Sequence, residues 1–280
     1  MRYYAMMACV LITGACFAVE STAPAASTPD ETANGIHLFN GKDLNGWYTY
    51  LKDRGRDVDP LKVFTVTDGS LRISGEEFGC VTSVNEFENY HLVMEFKWGE
   101  LTHAGRKDKA RDSGLLVHST GEDGAYGGMW MYCIECQMIE GGTGDILVVG
   151  DDSEKFKATC PVAAEQSGGC YVFQPDGQPA TLHAGRVNWF GRDPDWKDVI
   201  GFRGRQDVEK PLGEWNRYEC IAEGNTLTVL LNGIVVNKCL EVQPHKGRIQ
   251  IQSEGAELFV RCVDLIPLDS DNAGVSASQH

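Results

Sequence analysis

The chain has 280 residues and a formal charge of −15, from 25 basic and 40 acidic residues. Nucleic-acid phosphates are bound by clustered Lys and Arg, so this balance argues against a nucleic-acid partner and leaves a neutral sugar open. The length suits one sandwich or barrel domain with a full core, and the 32 glycines are typical of a chain with many turns.

The N-terminus has the pattern of an export signal. Arg2 is followed by an apolar run at 5–17, and cleavage is predicted after Ala18. The run is too short to cross a bilayer, and no later stretch is long and apolar enough to do so. We therefore expect an exported protein, periplasmic or extracellular, with a signal peptide at 1–18 and a flexible lead-in at 19–34.

A lipid anchor is the alternative form of export. Cys16 follows Thr13, Gly14 and Ala15 near the end of the predicted signal. Lipoprotein signals usually carry an aliphatic residue where Thr13 stands, so we favour simple secretion over a lipid anchor at Cys16. In either case the sequence predicts no membrane span.

Eight cysteines follow the predicted signal, and an even number in an exported chain favours disulfides. Cys160 and Cys170 flank a Gly- and Ser-containing loop and are the preferred local pair, although the sequence cannot choose among all pairings. A zinc site at Cys133 and Cys136 is weaker, because no second C-x-x-C occurs and a strand would point the two side chains to opposite faces.

In chain order, alternating apolar and polar residues predict many short strands. They fall at 63–67, 70–74, 90–98, 113–118, 132–140, 217–223, 226–231, 234–237, 248–253 and 257–265. Asp68-Gly69 and Asn232-Gly233 are hairpin turn signals, the second being the strongest in the chain. No stretch has helical periodicity with caps. The prediction is an all-β fold, a two-layer antiparallel sandwich.

Two long loops interrupt the predicted strands, at about 99–111 and 141–207. The second lacks apolar periodicity of its own, so an inserted domain there is disfavoured. We expect one sandwich domain at 35–270, with functional loops, and a C-terminal tail at 271–280.

Two predicted strands carry carboxylates and carboxamides on one face. Glu135 and Gln137 alternate with apolar residues, and Gln250, Gln252 and Glu254 do the same later. Such planar groups suit sugars, because each hydroxyl both donates and accepts hydrogen bonds. Ordinary solvated strand faces are an equally good interpretation of this pattern alone.

The loops add further candidates. Trp189 and Arg192 lie in the aromatic and charged segment 189–196, and Asp145 ends a Gly-rich turn. That turn lacks the Gly-Lys-Ser/Thr ending and the following helix of a phosphate loop. His118 ends a strand, where a lone His is more often structural than catalytic. No serine-hydrolase elbow or zinc-protease helix motif occurs.

Five segments in order resemble the 3-keto-disaccharide hydrolase family, formerly a domain of unknown function, and together they span about 36–268. They are LFNGKDLNGW at 38–47, DSGLLVH at 112–118, IECQMIEG at 134–141, GEWN at 213–216 and IQSEGAE at 251–257. The resemblance implies a concanavalin A-like jelly roll, of lectin/glucanase type.

The resemblance also implies action on glycosides already oxidised at C3. A ketone at C3 acidifies the proton on C2, so a base can remove it. The enolate then expels the oxygen at C1, and water adds to the unsaturated sugar. This elimination needs a base and a stabiliser for the enolate oxygen, whereas ordinary glycosidases need two carboxylates at set separations. A divalent metal ion could be that stabiliser, and no other cofactor is indicated.

By the resemblance, Glu135 or His118 would be the catalytic base or a metal ligand. The residues expected to bind or orient the carbohydrate are Gln137, Asp145, Trp189, Arg192, Gln252 and Glu254. Because a fold does not define a function, a non-catalytic carbohydrate-binding module or lectin remains the alternative to a glycoside-cleaving hydrolase or lyase. A surface protein without a ligand is a third, less favoured hypothesis.

Overall fold

The structure is a computed structural model that describes residues 35–268. The predicted signal peptide, the lead-in and the C-terminal tail lie outside these residues. Within them the chain forms twenty β-strands and one short 3-10 turn, Ala104–Arg106, and no α-helix. No helix in this range is therefore available to cross a membrane.

The strands in chain order are β1 (Ile36–His37), β2 (Trp47–Leu51), β3 (Gly55–Arg56), β4 (Phe64–Thr67), β5 (Ser70–Ile73), β6 (Gly79–Ser83), β7 (Tyr90–Thr102), β8 (Asp112–Thr120), β9 (Tyr132–Ile139), β10 (Ile146–Val149), β11 (Lys157–Val162), β12 (Tyr171–Val172), β13 (Gln178–Leu182), β14 (Gly185–Asn188), β15 (Asn216–Glu223), β16 (Thr226–Leu231), β17 (Ile234–Cys239), β18 (Glu241–Gln243), β19 (Arg248–Ser253) and β20 (Ala256–Pro267).

Two large sheets make up the sandwich. The first has the order β17-β16-β15-β7-β20-β5-β4, with β1 also paired to β20, and the second has the order β12-β14-β10-β9-β8-β19-β6-β2-β3. A small sheet, β13-β11-β18, stands beside them. Every pairing is antiparallel except β12 with β14. The architecture confirms the all-β, jelly-roll sandwich expected from the sequence.

The core lies between the two large sheets, and strand alternation builds it. Ile134, Cys136 and Met138 of β9 enter the same core cluster as Tyr218 and Cys220 of β15 in the facing sheet. The Tyr218 hydroxyl donates a 3.1 Å hydrogen bond across the sandwich to the backbone oxygen of Gln137. The alternate residues of β9 therefore lie on the outer face of the second sheet.

The two hairpin turns predicted from the sequence are present in the structure. Asn232 and Gly233 both have positive φ, 51° and 81°, and they join β16 to β17. Asp68 and Gly69 do the same between β4 and β5. Two residues of positive φ match the right-handed twist of a hairpin, and Asn, Asp and Gly reach that region most easily.

The prediction of a long loop at 141–207 is wrong, because this stretch contains five strands, β10 to β14. Several are short, and β11 and β13 carry Pro161 and Pro179 opposite each other. Proline removes a ladder donor, and partners distant in sequence leave no local hairpin signal. The stretch contributes β10, β12 and β14 to the second large sheet and β11 and β13 to the small one.

The cysteines do not adopt the expected local pair. In this structure none of the eight in the described range is bonded to another. Cys160 Sγ lies 3.2 Å from Cys239 Sγ in the core, whereas Cys170 sits in a turn closed by backbone bonds to Ser167. Cys160 points inward from β11 toward the end of β17, away from the loop that carries Cys170.

Candidate active site

The outer face of the second large sheet carries an unusual row of polar side chains. Glu135 and Gln137 of β9 are each only 4% exposed, although they lie on the face opposite the core. Gln252 of β19 is 1% exposed on the same face. Buried polar groups at an outer sheet face need partners, because leaving them unpaired is costly.

Gly114 of β8 lets two of these side chains meet. It pairs with Gln137 in the β8–β9 ladder. A Cβ atom on Gly114 would lie 2.7 Å from Glu135 Oε1 and closer still to Gln252 Oε1. Any larger residue would fill the space above β8 that the two side chains occupy. The glycine is therefore required by close approach, and it brings Glu135 beside Gln252.

Two more carboxyl groups complete an acid cluster with Glu135. Asp112 begins β8, and Ile251 pairs with Leu115, so the same register carried past the end of β19 sets Glu254 opposite Asp112. Asp112 is buried, while Glu254 is partly exposed. We call Asp112, Glu135 and Glu254 the acid cluster.

Arginines flank the acid cluster. Arg106 Nη2 lies 3.2 Å from Asp112 Oδ2, and the same guanidinium forms two hydrogen bonds with Asp198 of the 189–209 segment, at 2.9 and 3.2 Å. Arg186 of β14 is on the same face as Glu135, since Leu147 pairs with both of them. Positive charge therefore lies beside the carboxyl groups. Through Arg106 it also links the 189–209 segment, called the covering segment below, to Asp112.

A buried ion pair supports Arg186. Asp145 is fully buried, and its carboxylate accepts bonds from Arg192, from Arg186 Nη1 at 3.2 Å and from the backbone N–H of Trp189 at 2.9 Å. The Arg192 guanidinium stacks over the Trp196 ring, 4.3 Å from its centroid. This network holds Arg186 and the covering segment in place rather than presenting Asp145 to a ligand.

Burial raises the pKa of all three carboxyl groups in the acid cluster. The pKa of Asp112 rises to about 7 because burial outweighs the nearby Arg106 and Arg186 charges. The pKa of Glu135 rises to about 8, through burial and then the Asp112 charge. Burial and both neighbouring carboxylates also raise the pKa of Glu254 well above its usual range. At neutral pH the cluster can therefore hold a carboxylate and a carboxylic acid side by side.

Three buried polar atoms in this region have no hydrogen-bond partner within the protein. They are Asp112 Oδ1, Gln252 Oε1 and Arg106 Nε. Two acceptors and one donor, next to a carboxyl group with a raised pKa, are the set that a polyhydroxylated ligand can satisfy. This geometry makes the acid cluster the candidate binding site.

An apolar wall lies on the same outer face. Leu116, Trp130, Cys133 and Val149 form a second buried cluster, and Phe78 packs against it. The Phe78 and Trp130 rings stack, with centroids 6.4 Å apart and planes 29° apart. Gln252 pairs with Cys80, and the same register carried past Gly79 sets Phe78, which directly precedes β6, level with Glu254. An aromatic surface beside hydrogen-bonding groups suits the apolar face of a sugar ring.

The structure does not bring His118 to Glu135. A bulge in β8 after Val117, with φ of 55° at His118, turns the imidazole into the core. There it packs edge-on against Tyr90, with ring centroids 5.8 Å apart, and burial lowers its pKa to about 4. Simple alternation along β8 would have put His118 on the outer face.

The other predicted residues divide into two groups. Gln252 and Glu254 lie with Glu135, and Gln137 lies on the same face. Trp189 is in the core and reaches the site only through its backbone bond to Asp145, so its ring is not a sugar platform here.

Sequence reasoning missed four residues of the site, namely Phe78, Arg106, Asp112 and Arg186. Asp112 could have been found, since an acidic residue opens the motif at 112–118 and a glycine follows two positions later. The arginines carried no signal, because they come from segments that pair only in the folded chain.

The residues of the acid cluster and their neighbours do not fit a divalent metal ion. Within 35–268, no group of three or more His, Cys, Asp or Glu side chains is arranged to hold one. The carboxyl groups of the acid cluster instead alternate with Arg106 and Arg186.

The sandwich and its acid-lined outer face define a carbohydrate-active jelly-roll protein. The chain belongs to the 3-keto-alpha-glucoside-1,2-lyase-like family, whose domain matches residues 34–265. This confirms the resemblance carried by the five sequence motifs. No match is found among curated proteins.

Solved structures are similar to this chain at low sequence identity. A protein from Parabacteroides distasonis assigned as a glycosyl hydrolase is 18% identical, covers 87% of this chain and 98% of its own, and has a TM-score of 0.51. A second structure from that organism, with the same assignment, is 19% identical, covers 84% and 99%, and scores 0.47. A Bacillus licheniformis β-glucanase is 11% identical, covers 84% and 98%, and scores 0.42. At these identities the first structure shows a common fold and nothing about substrate.

Proposed function

We propose that the protein cleaves the glycosidic bond of 3-keto-glycosides at the acid cluster, outside the cytoplasm. The observation that carries this proposal is the pair of orphaned acceptors, Asp112 Oδ1 and Gln252 Oε1, beside Glu135 with its raised pKa. Together they form a buried, sugar-compatible site in which one carboxyl group can be ionised and another protonated.

Asp112 is the proposed base. Its pKa of about 7 lies below the pKa of about 8 of Glu135, and one of its oxygens has no partner while the other contacts Arg106. In the first step the Asp112 carboxylate takes the proton from C2 of the 3-keto sugar. The C2–H electrons form an enolate whose charge rests on the C3 oxygen. The guanidinium groups of Arg106 and Arg186 are the nearby positive charges for that oxygen.

Glu135 is the proposed acid. With a pKa of about 8 it is largely protonated at neutral pH, and it can give its proton to the glycosidic oxygen as the C1–O bond breaks. The enolate electrons form the C1=C2 double bond, and the aglycone leaves as an alcohol. Water then adds, with hydroxide to C1 and a proton to C2, and restores the saturated 3-keto sugar. The net reaction is hydrolysis.

The direct test is consumption of a 3-keto disaccharide, compared with the same disaccharide unoxidised at C3. Release of the aglycone from the oxidised sugar alone supports the proposal. Binding of the oxidised sugar without consumption would contradict it and favour a carbohydrate-binding module. Asp112→Asn keeps the size of the side chain and removes the base, so this variant should bind the sugar and release no aglycone.

A further inference from the structure

Two thiols far apart in sequence meet in the core. Cys160 Sγ of β11 lies 3.2 Å from Cys239 Sγ at the end of β17, and both residues are fully buried. Two non-bonded sulfur atoms rarely approach so closely. None of the groups proposed for catalysis contacts them, so the pair needs an explanation of its own.

One backbone hydrogen bond sets these two residues opposite each other, one residue out of step with the β11–β18 ladder, in which Thr159 pairs with Glu241. The N–H of Leu240 donates a 2.7 Å bond to the backbone oxygen of Thr159. In an antiparallel ladder, a backbone bond from the residue after one cysteine to the residue before the other places the two cysteines directly opposite each other. Such a pair is called non-hydrogen-bonded, because the ladder bonds are made by its neighbours. The reciprocal bond cannot form because Pro161 has no N–H. In such a pair the Cα atoms lie about 4.5 Å apart, within the range of about 4.4–6.8 Å that a disulfide spans.

A second pair of thiols provides the contrast. Cys136 of β9 and Cys220 of β15 have sulfur atoms 3.8 Å apart and come from the two facing sheets. These two strands belong to different sheets and are not paired, so no backbone bond sets the Cα separation of Cys136 and Cys220 within the range that a disulfide spans. Contact alone therefore does not identify a cross-link, and the backbone bond beside Cys160 and Cys239 is what distinguishes that pair.

We propose that Cys160 and Cys239 form a disulfide in the native protein. The oxidant is a disulfide, either of low molecular weight or on an oxidising protein. One cysteine thiolate attacks it and releases one thiol. The other cysteine then displaces the second thiol, so one S–S bond forms between the cysteines and the oxidant is reduced to two thiols.

The cross-link forms during folding and braces the site from a distance. Contact with Cys160 and burial raise the pKa of Cys239 well above its usual range, so the folded thiols react slowly. On the same strand, Asn237 Nδ2 donates to the backbone oxygens of Gly144 and Val187, at 3.1 and 3.0 Å. Gly144 precedes Asp145 and Val187 follows Arg186, so these two hydrogen bonds tie β17 to the segments that hold Asp145 and Arg186.

The test is a disulfide map of the whole chain, exported or refolded with oxidised and reduced glutathione. Free thiols are alkylated in denaturant without reductant. The protein is then cut with trypsin and a Glu-specific protease, because cleavage after Glu165 separates Cys160 from Cys170. The expected product joins the Cys160 and Cys239 peptides and is about 2 Da lighter than their sum, with Cys136 and Cys220 alkylated.

Recovery of Cys160 and Cys239 as alkylated thiols, or of Cys160 joined to Cys170, would overturn the proposal. A stability readout is independent of the map. Reductant should lower the Tm of the oxidised wild type by roughly 5–10 °C. It should leave a Cys160→Ala/Cys239→Ala variant unmoved. The matched Cys136→Ala/Cys220→Ala variant should keep the wild-type response, and loss of that response would count against the assignment.

Discussion

Glu135→Gln tests whether the acid cluster does chemistry and whether burial raises its pKa. Gln is close in size to a protonated Glu and cannot transfer a proton. We expect turnover of a 3-keto disaccharide to fall roughly 10²- to 10⁴-fold, the usual contribution of general acid–base catalysis. Because Gln252 and Gly114 still accommodate the side chain, the Kd for the substrate should change little.

The same substitution should change the pH dependence of stability. The pKa of Glu135 in the folded protein is about 8, above its usual 4.5, so the folded protein favours the protonated side chain. Its contribution to the free energy of unfolding is therefore fully present below about pH 4.5 and is lost as the pH rises through about 8. At about 1.4 kcal/mol per pH unit this amounts to on the order of 5 kcal/mol. Since Asp112 and Glu254 titrate with it, we expect Glu135→Gln to gain about 2–5 kcal/mol over wild type between pH 4.5 and 8.

Urea unfolding at several pH values, with turnover measured on the same samples, gives both quantities. Glu209→Gln is the matched control. Glu209 is buried, burial raises its pKa to about 8, and it accepts bonds from Trp98 and Thr143 away from the acid cluster. It should show the same gain in stability at high pH with near-normal turnover. A Glu135→Gln enzyme that turns over normally, or whose stability parallels wild type with pH, would refute the reasoning.

Three further substitutions separate the parts of the site. Gly114→Ala places a methyl group 2.7 Å from Glu135 Oε1, so we expect at least about 10²-fold loss of turnover, and a normal rate would show that the close approach is dispensable. Phe78→Ala removes the Phe78 ring from the apolar wall and should raise KM roughly 10-fold with kcat nearly unchanged. A fall in kcat alone would contradict a binding role for this ring. His118→Asn tolerates the positive φ and loses the packing on Tyr90, so Tm should drop with about 1–3 kcal/mol of stability while turnover per folded molecule stays normal. Abolished turnover in a folded His118→Asn protein would restore a chemical role for the imidazole.

Local patterns in the sequence determined the parts of this protein that depend on neighbouring residues. Alternation along β9 predicts that Glu135 and Gln137 leave the core while Ile134 and Cys136 enter it, and the structure has that arrangement. Asn232-Gly233 predicts its hairpin because the two positive φ values are set within the turn itself.

Only the tertiary structure decided which outer-face residues meet. Asp112 and Glu254 lie more than a hundred residues apart in the chain, and Arg186 comes from a strand that its own sequence did not reveal. The bulge that turns His118 inward and the pairing of Cys160 with Cys239 likewise depend on distant partners. A period of two residues specifies the face of a strand but neither its neighbour nor its register, and a register shift moves a side chain to the other face.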